Sequence, residues 1–135
     1  MMPNPVLLYI EDDPLSRQVM HMLLTRGMGM TQVSIFENSE SVIDKLVALP
    51  QPPDLILLDI HMKPYNGFEI LEMLRADERY HSAKVVAVTA SVMNEEVKLL
   101  QSAGFDGALA KPIDPEACPT FIRRILNGQR VWQIT

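Results

Sequence analysis

Three runs in this chain are apolar without alternation: Val6-Leu7-Leu8-Tyr9-Ile10, Leu55-Ile56-Leu57-Leu58 and Val85-Val86-Ala87-Val88. A strand with one wet face alternates apolar and polar side chains. Uninterrupted runs belong instead to strands covered on both faces, as in a parallel sheet with helices on either side. Each run also stops abruptly at polar or turn-forming residues. Leu55–Leu58 ends at Asp59, and Pro64, Asn66 and Gly67 follow shortly after. In open parallel sheets ligands bind at the carboxyl ends of strands. Asp59 is therefore either an active group or a capping residue, and taken alone it reads as a cap, because Asp is common at such junctions.

The segments between the runs carry helical periodicity. Asp13 and Pro14 make a cap-plus-proline start for a first helix, with Leu15, Val19, Met22 and Leu23 on one face and Gly27 as its stop. Gln32 to Phe36 reads as a second strand. Asn38 is placed to cap a second helix whose inner stripe is Val42, Ile43, Leu46 and Val47. A third helix carries Phe68, Leu71, Met73 and Leu74, and a fourth, capped by Asn94 or Ser91, carries Val97, Leu100 and Ala103 and closes at Gly104. Ala108 to Ala110 is a short fifth strand. Asp114-Pro115 opens a last helix lined by Phe121, Ile122, Ile125 and Leu126, although Pro119 either bends its start or moves the first turn forward to Thr120. Gln129 to Thr135 is too short for an element of consequence, with Val131 and Trp132 able to pack back on the body.

Strand and helix thus alternate five times without linker or repeat. Right-handed crossovers then put helices on both faces of a parallel sheet. The expected fold is α/β, a doubly wound five-stranded parallel sheet of flavodoxin-like (βα)5 form with strand order 2-1-3-4-5. A single domain over residues 1–135 is expected, with its core at about 5–127 and a short tail at 128–135. The sequence has 135 residues, 47% hydrophobic and 21% charged, which suits one soluble globular domain. A formal net charge of −5 argues against a nucleic-acid surface. One cysteine, Cys118, excludes an internal disulfide and a four-cysteine metal site. Val6–Ile10 is too short for a signal-peptide core, and no run approaches the roughly 20 residues of a membrane span, so a cytoplasmic location is expected.

The strand ends collect side chains that can cooperate. Strand one supplies Glu11 and Asp12, strand three Asp59, strand four Thr89 and strand five Lys111. Each has an ordinary reading: a solvated helix start, a β-branched strand residue, a surface lysine. Their shared position favours a common purpose. Carboxylates gathered within several ångströms repel by a few kcal/mol per pair, at roughly 332/(εr) with ε near 20, so such a site takes up protons or binds a cation. Hard oxygen ligands suit Mg²⁺. Asp12 and Asp59 are the expected direct ligands, with Glu11 acting through a water and the His61 backbone carbonyl completing the set. An Asp59 oxygen then remains to attack phosphorus. Phosphoryl transfer needs positioning and charge neutralisation, for which Lys111, Thr89 and a backbone N–H are suited.

At these residues the sequence resembles the receiver domain of two-component response regulators, from Val6 to about Leu126. The resemblance rests on the acid pair Glu11-Asp12, Leu57-Leu58-Asp59, Gly67, Val88-Thr89-Ala90, and Lys111-Pro112 after Gly104-Phe105-Asp106-Gly107. The intervals of 30 residues from Asp59 to Thr89 and 22 from Thr89 to Lys111 are similar to that family's. It implies that Asp59 accepts a phosphoryl group from a sensor histidine kinase or histidine phosphotransfer protein, with Mg²⁺ required. The protein would be a signalling domain rather than an enzyme in the usual sense, catalysing only its own phosphorylation and dephosphorylation. Thr89 would shift toward the phosphate and alter a surface of helix four, strand five and helix five that meets an effector protein or a second copy. Three departures stand out: Lys63, with Pro64 one position later, where the family typically has proline, Ala108 where it often has Tyr or Phe, and His61 and Ser91 at variable positions flanking the water's route.

Three rivals are available. An FMN carrier needs a hydroxyl- and glycine-rich phosphate loop where this chain has Glu11-Asp12-Asp13. A Mg²⁺-dependent phosphohydrolase needs a cap insertion. A phosphorylation-independent receiver-like binding module usually lacks an acid, the phosphoacceptor or the lysine, all retained here.

Overall fold

The computed structural model describes residues 4–91 and 93–133. Six parallel strands form one sheet in the order β2-β1-β3-β4-β5-β6. They are β1 (Val6–Ile10), β2 (Gln32–Phe36), β3 (Leu55–Asp59), β4 (Lys84–Thr89), β5 (Gly107–Ala110) and β6 (Val131–Gln133). The helices are α1 (Pro14–Met22), α2 (Val42–Val47), α3 (Gly67–Ala76), α4 (Asn94–Ala103) and α5 (Cys118–Leu126). The doubly wound fold and the order of the first five strands are as the sequence predicts.

Why the apolar runs are uninterrupted is visible in the two-sided core. Strand side chains point alternately to opposite faces. Leu8, Ile10, Ile56, Leu58, Val85 and Ala87 pack on one face against α2, α3 and α4. Leu7, Tyr9, Leu55, Leu57, Val86 and Val88 pack on the other against Met20 and Leu24 of the first helix and Phe121, Ile122 and Ile125 of α5.

Several local expectations are corrected. Of the expected inner stripe of the first helix, Leu23 packs against the core beside the fully buried Met20 and Leu24, while Leu15 and Met22 are 67% and 55% exposed. Apolar residues crowd this helix so densely that two overlapping stripes fit its period. The helix also widens into a π-helical turn over Leu23–Gly27. The second helix starts at Val42 rather than beside Asn38, whose side chain instead accepts from the Glu40 amide at 2.8 Å. Its Val47 is exposed. The fourth helix is capped at Met93, whose amide donates to the Glu96 carboxylate at 3.3 Å, so neither Asn94 nor Ser91 is the cap. The last helix begins at Cys118 with Pro119 in its first turn, not at Asp114-Pro115.

The tail holds the largest departure. Val131–Gln133 forms β6, parallel to β5, with Gly107 beside Val131 and Ala108 beside Trp132. Residues 134–135 of the expected tail lie outside the described residues. Gly107 permits this pairing, since a Cβ there would stand 2.5 Å from the Val131 carbonyl oxygen and 2.8 Å from Ile125 Cδ1. Trp132 packs against the same core face as buried Ala108. An aromatic ring therefore lies beside the position where the sequence has only a methyl group.

Candidate functional site

The register of the sheet assembles the site. Ile10 pairs with Leu58, and Asp59 pairs with Val88. Glu11 and Asp59 thus sit one step beyond a paired rung, at the point where β1 and β3 send their chains to opposite faces. This is the switch point at which doubly wound sheets bind ligands. Glu11 is fully buried, Asp59 is 5% exposed and Asp12 is exposed. One carboxylate oxygen from each of Glu11, Asp12 and Asp59 lies within 4.8 Å of the others. At that distance two ionised carboxylates repel by about 3 kcal/mol with ε near 20. Three hard oxygen donors so placed form a set suited to a divalent cation.

Lys111 supplies compensating charge, but it is not centred on Asp59. Its Nζ lies 2.6 Å from Glu11 Oε1 and 3.6 Å from Asp59 Oδ1. Glu11 Oε1 also accepts from the Tyr9 hydroxyl at 2.5 Å, and Glu11 Oε2 from the Asp13 amide at 3.2 Å. Burial by itself would raise the Glu11 carboxyl, yet the Lys111 ammonium and the Tyr9 phenol hold it below its ordinary value. Asp59 goes the other way. Burial and the adjacent Glu11 carboxylate push it up to about 7, against the smaller opposing pull of Lys111 and the His61 amide. Two neighbouring acids with opposite shifts show where the surplus negative charge resides. Burial, with Glu11 next, also raises the Tyr9 phenol far above its ordinary value, so it remains a hydrogen-bond donor.

Thr89 approaches from the other face of the sheet. It continues the parity of Val85 and Ala87, is 2% exposed, and its hydroxyl accepts from the Ser91 amide at 3.1 Å. With Ile60, His61, Phe68, Ser91, Glu96, Leu99 and Leu100 it lines a cavity of about 200 Å³ between α3 and α4. The His61 amide donates to Asp59 Oδ1 at 3.3 Å, and the His61 and Lys63 side chains are exposed.

Gly67 sets how closely α3 approaches the end of β3. Its amide donates to the Ile60 carbonyl at 3.0 Å, and an added Cβ would lie 3.1 Å from Ile60 Cα and 3.2 Å from the Asp59 carbonyl oxygen. Gly67→Ala is expected to cost about 1–3 kcal/mol, because backbone must move to admit the methyl group. Chemical denaturation measures this, and an unchanged midpoint would mean that the turn yields freely.

The structure thus brings together Glu11, Asp12, Asp59 and Lys111, with Thr89 at the neighbouring strand end. Two contributors were not anticipated. The sequence reads Tyr9 only as a core residue, although the two-residue period places it on the same face as Glu11. Arg17 donates from Nη1 to the Glu11 carbonyl at 2.9 Å, a contact made by the helix's orientation and legible in no motif.

Fold and site together define the class: a doubly wound α/β domain with a charged, aspartate-centred site at its switch point. The response regulator receiver domain profile matches residues 7–123, and the chain belongs to that family. It is 33% identical over 125 residues to the nitrate/nitrite response regulator protein NarL of Escherichia coli, covering 93% of this chain and 56% of that protein. The chain therefore spans about half the length of the curated relatives it matches. Among solved structures, a putative response regulator from Chloroflexus aurantiacus superposes with a TM-score of 0.81 at 21% identity, over 92% of this chain and 98% of that one. The receiver domain of the Pseudomonas aeruginosa sensor histidine kinase PA1611 superposes at 0.78 with 22% identity, over the same shares, 92% and 98%. That domain holds a magnesium ion in its active-site cleft. Receiver domains are signalling domains rather than enzymes of the usual kind. Among the described residues, no helix is long and apolar enough to cross a membrane.

Proposed function

We propose that this chain is a phosphoryl-accepting receiver, residues 5–127 forming its working unit and Asp59 its acceptor. A single observation carries the reading: a buried aspartate at the switch point has two further carboxylates within 4.8 Å and a lysine ammonium at 3.6 Å. The donor is the phosphohistidine of a sensor histidine kinase or histidine phosphotransfer protein. An Asp59 oxygen attacks phosphorus, the phosphorus–nitrogen bond breaks, and the histidine nitrogen leaves with the electron pair. Water later cleaves the acyl phosphate and restores the carboxylate.

Mg²⁺ fits the acidic set. Asp12 and Asp59 would hold it directly, Glu11 through a water, and the His61 backbone carbonyl would complete the protein's share. When bound, the ion neutralises charge on the carboxylates and on a phosphoryl oxygen. Lys111 and Thr89 position further phosphoryl oxygens. For Lys111 this requires a move away from Glu11 Oε1, and for Thr89 a turn away from the Ser91 amide.

The output is a protein contact, with an effector or a second copy, on the surface next to Thr89. Its α4 edge presents Met93 and Leu99, 66% and 60% exposed. Because β6 lies along the outer edge of β5, this surface presents β6 where a five-stranded sheet would present β5.

The test is incubation with acetyl phosphate and Mg²⁺, followed by intact mass. A single phosphoryl adduct, labile to alkali and hydroxylamine and missing from Asp59→Asn and from a sample with EDTA, is the expected result. No adduct would favour a phosphorylation-independent binding module, and one that survives Asp59→Asn would overturn Asp59 as the acceptor.

A further inference from the structure

The buried phenol of Tyr9 has no part in the phosphoryl transfer described above, yet it makes the shortest side-chain hydrogen bond in the site. Tyr9 is fully buried in β1, two residues before Glu11 and on the same face of the sheet. Its hydroxyl and the Lys111 ammonium converge on one atom, Glu11 Oε1, at 2.5 and 2.6 Å. The other Glu11 oxygen is occupied separately by the Asp13 amide. One carboxylate oxygen in a fully buried residue thus has two donors of different kinds. The lysine ammonium is carried on a flexible four-carbon stem, 19% exposed at its side chain, whereas the phenol is held by the packed core around its ring.

A phosphoryl group on Asp59 would draw Lys111 the remaining distance from Glu11 toward the new anionic oxygens. If Lys111 were the only donor, that move would strip a buried carboxylate oxygen of its partner, which is among the more costly polar changes a protein interior can make. We infer that Tyr9 is a positioning residue that keeps Glu11 Oε1 hydrogen-bonded, releasing Lys111 to bind the phosphoryl group. The phenol stays in place while the ammonium changes partner. The charge-assisted bond from Tyr9 thereby lowers the cost of the exchange without touching phosphate or metal.

This inference rests on the reading of Asp59 as the phosphoryl acceptor, so its test includes a check on that reading. Beryllofluoride, a tetrahedral anion that coordinates to a carboxylate oxygen as a phosphoryl group would, turns the lysine exchange into an equilibrium measurement. In saturating Mg²⁺, Tyr9→Phe should bind beryllofluoride about tenfold more weakly than the wild-type protein, the loss expected for one hydrogen bond to a charged group. Its Mg²⁺ dissociation constant measured without beryllofluoride should stay within about twofold, since Lys111 then remains on Glu11 and both oxygens keep donors. Calorimetry reads both constants, and a melting curve of each variant accompanies them.

A residue that merely shaped the pocket would weaken both constants together. Equal losses in the two, or no loss in either, would overturn the role of Tyr9. Failure of the wild-type protein to bind beryllofluoride in a manner abolished by Asp59→Asn would overturn the underlying reading instead, so the two failures are distinguishable.

Discussion

Asp59→Asn, in EDTA at pH 8, is expected to melt about 5–10 °C above the wild-type protein while accepting no phosphoryl group. The sign follows from the direction of the Asp59 shift. Its carboxyl is pushed up to about 7 in the folded protein, by burial first and by Glu11 next, whereas in an unfolded chain it titrates near 4. Between those values the folded protein holds a proton that the unfolded chain has lost. Stability then falls as pH rises through this window and stays lowest above it. The loss at high pH is about 1–3 kcal/mol, allowing for relaxation of the coupled acids and for Lys111 at 3.6 Å. Asparagine cannot ionise and removes that loss. The melting difference between the two proteins should accordingly shrink toward zero as pH is lowered to about 4. Adding Mg²⁺ should raise the wild-type midpoint by mass action and the variant's much less. A variant that melts below the wild type, or a gap that persists at low pH, would show that Asp59 is not electrostatically strained.

Asp12→Ala separates the metal from the fold. Asp12 is exposed, whereas Glu11 is buried under Tyr9 and Lys111. Removing the Asp12 carboxylate should change stability by less than about 0.5 kcal/mol without metal, as for most surface positions. It should weaken Mg²⁺ by at least about 10- to 100-fold, a range that even outer-sphere partners of a metal can reach. Titration calorimetry reads the affinity and a denaturant series the stability. Unchanged affinity would move the cation elsewhere. A large loss of stability would mean that Asp12 also holds the start of the first helix. Neither result alters the test on Asp59, because the two variants report different properties of one cluster.

These expectations draw unequally on sequence and structure. The uninterrupted apolar strands were legible because burial on both faces removes the polar alternation, and that chemistry is local. The same holds for Asp59, Glu11, Asp12, Thr89 and Lys111. Each terminates a recognisable strand, and parallel strands present their ends at one edge. Helix faces were less secure. Leu15 and Met22 fit the period of the first helix, yet Met20 and Leu24 are the residues under the sheet. Where apolar residues outnumber the positions that can be buried, only the partner surface selects among stripes. Helix starts suffered similarly. A possible cap such as Asn38 or Asp114 needs a backbone geometry that the neighbouring elements impose.

By itself, then, the sequence determined the layering, the order of the central strands and the set of side chains gathered at their ends. Burial pattern and chain direction suffice for those. Tertiary structure decided how that set is wired. It placed Lys111 nearer to Glu11 than to Asp59, set the Tyr9 phenol on the same oxygen, and raised Asp59 while lowering Glu11. It also turned Val131–Gln133 into a sixth strand, through a pairing that Gly107 leaves room for. The contacts of Lys111 with Glu11 and Asp59 join residues about 100 and 50 positions apart, and their distances and dielectric surroundings are set by the packed sheet rather than by any pattern along the chain.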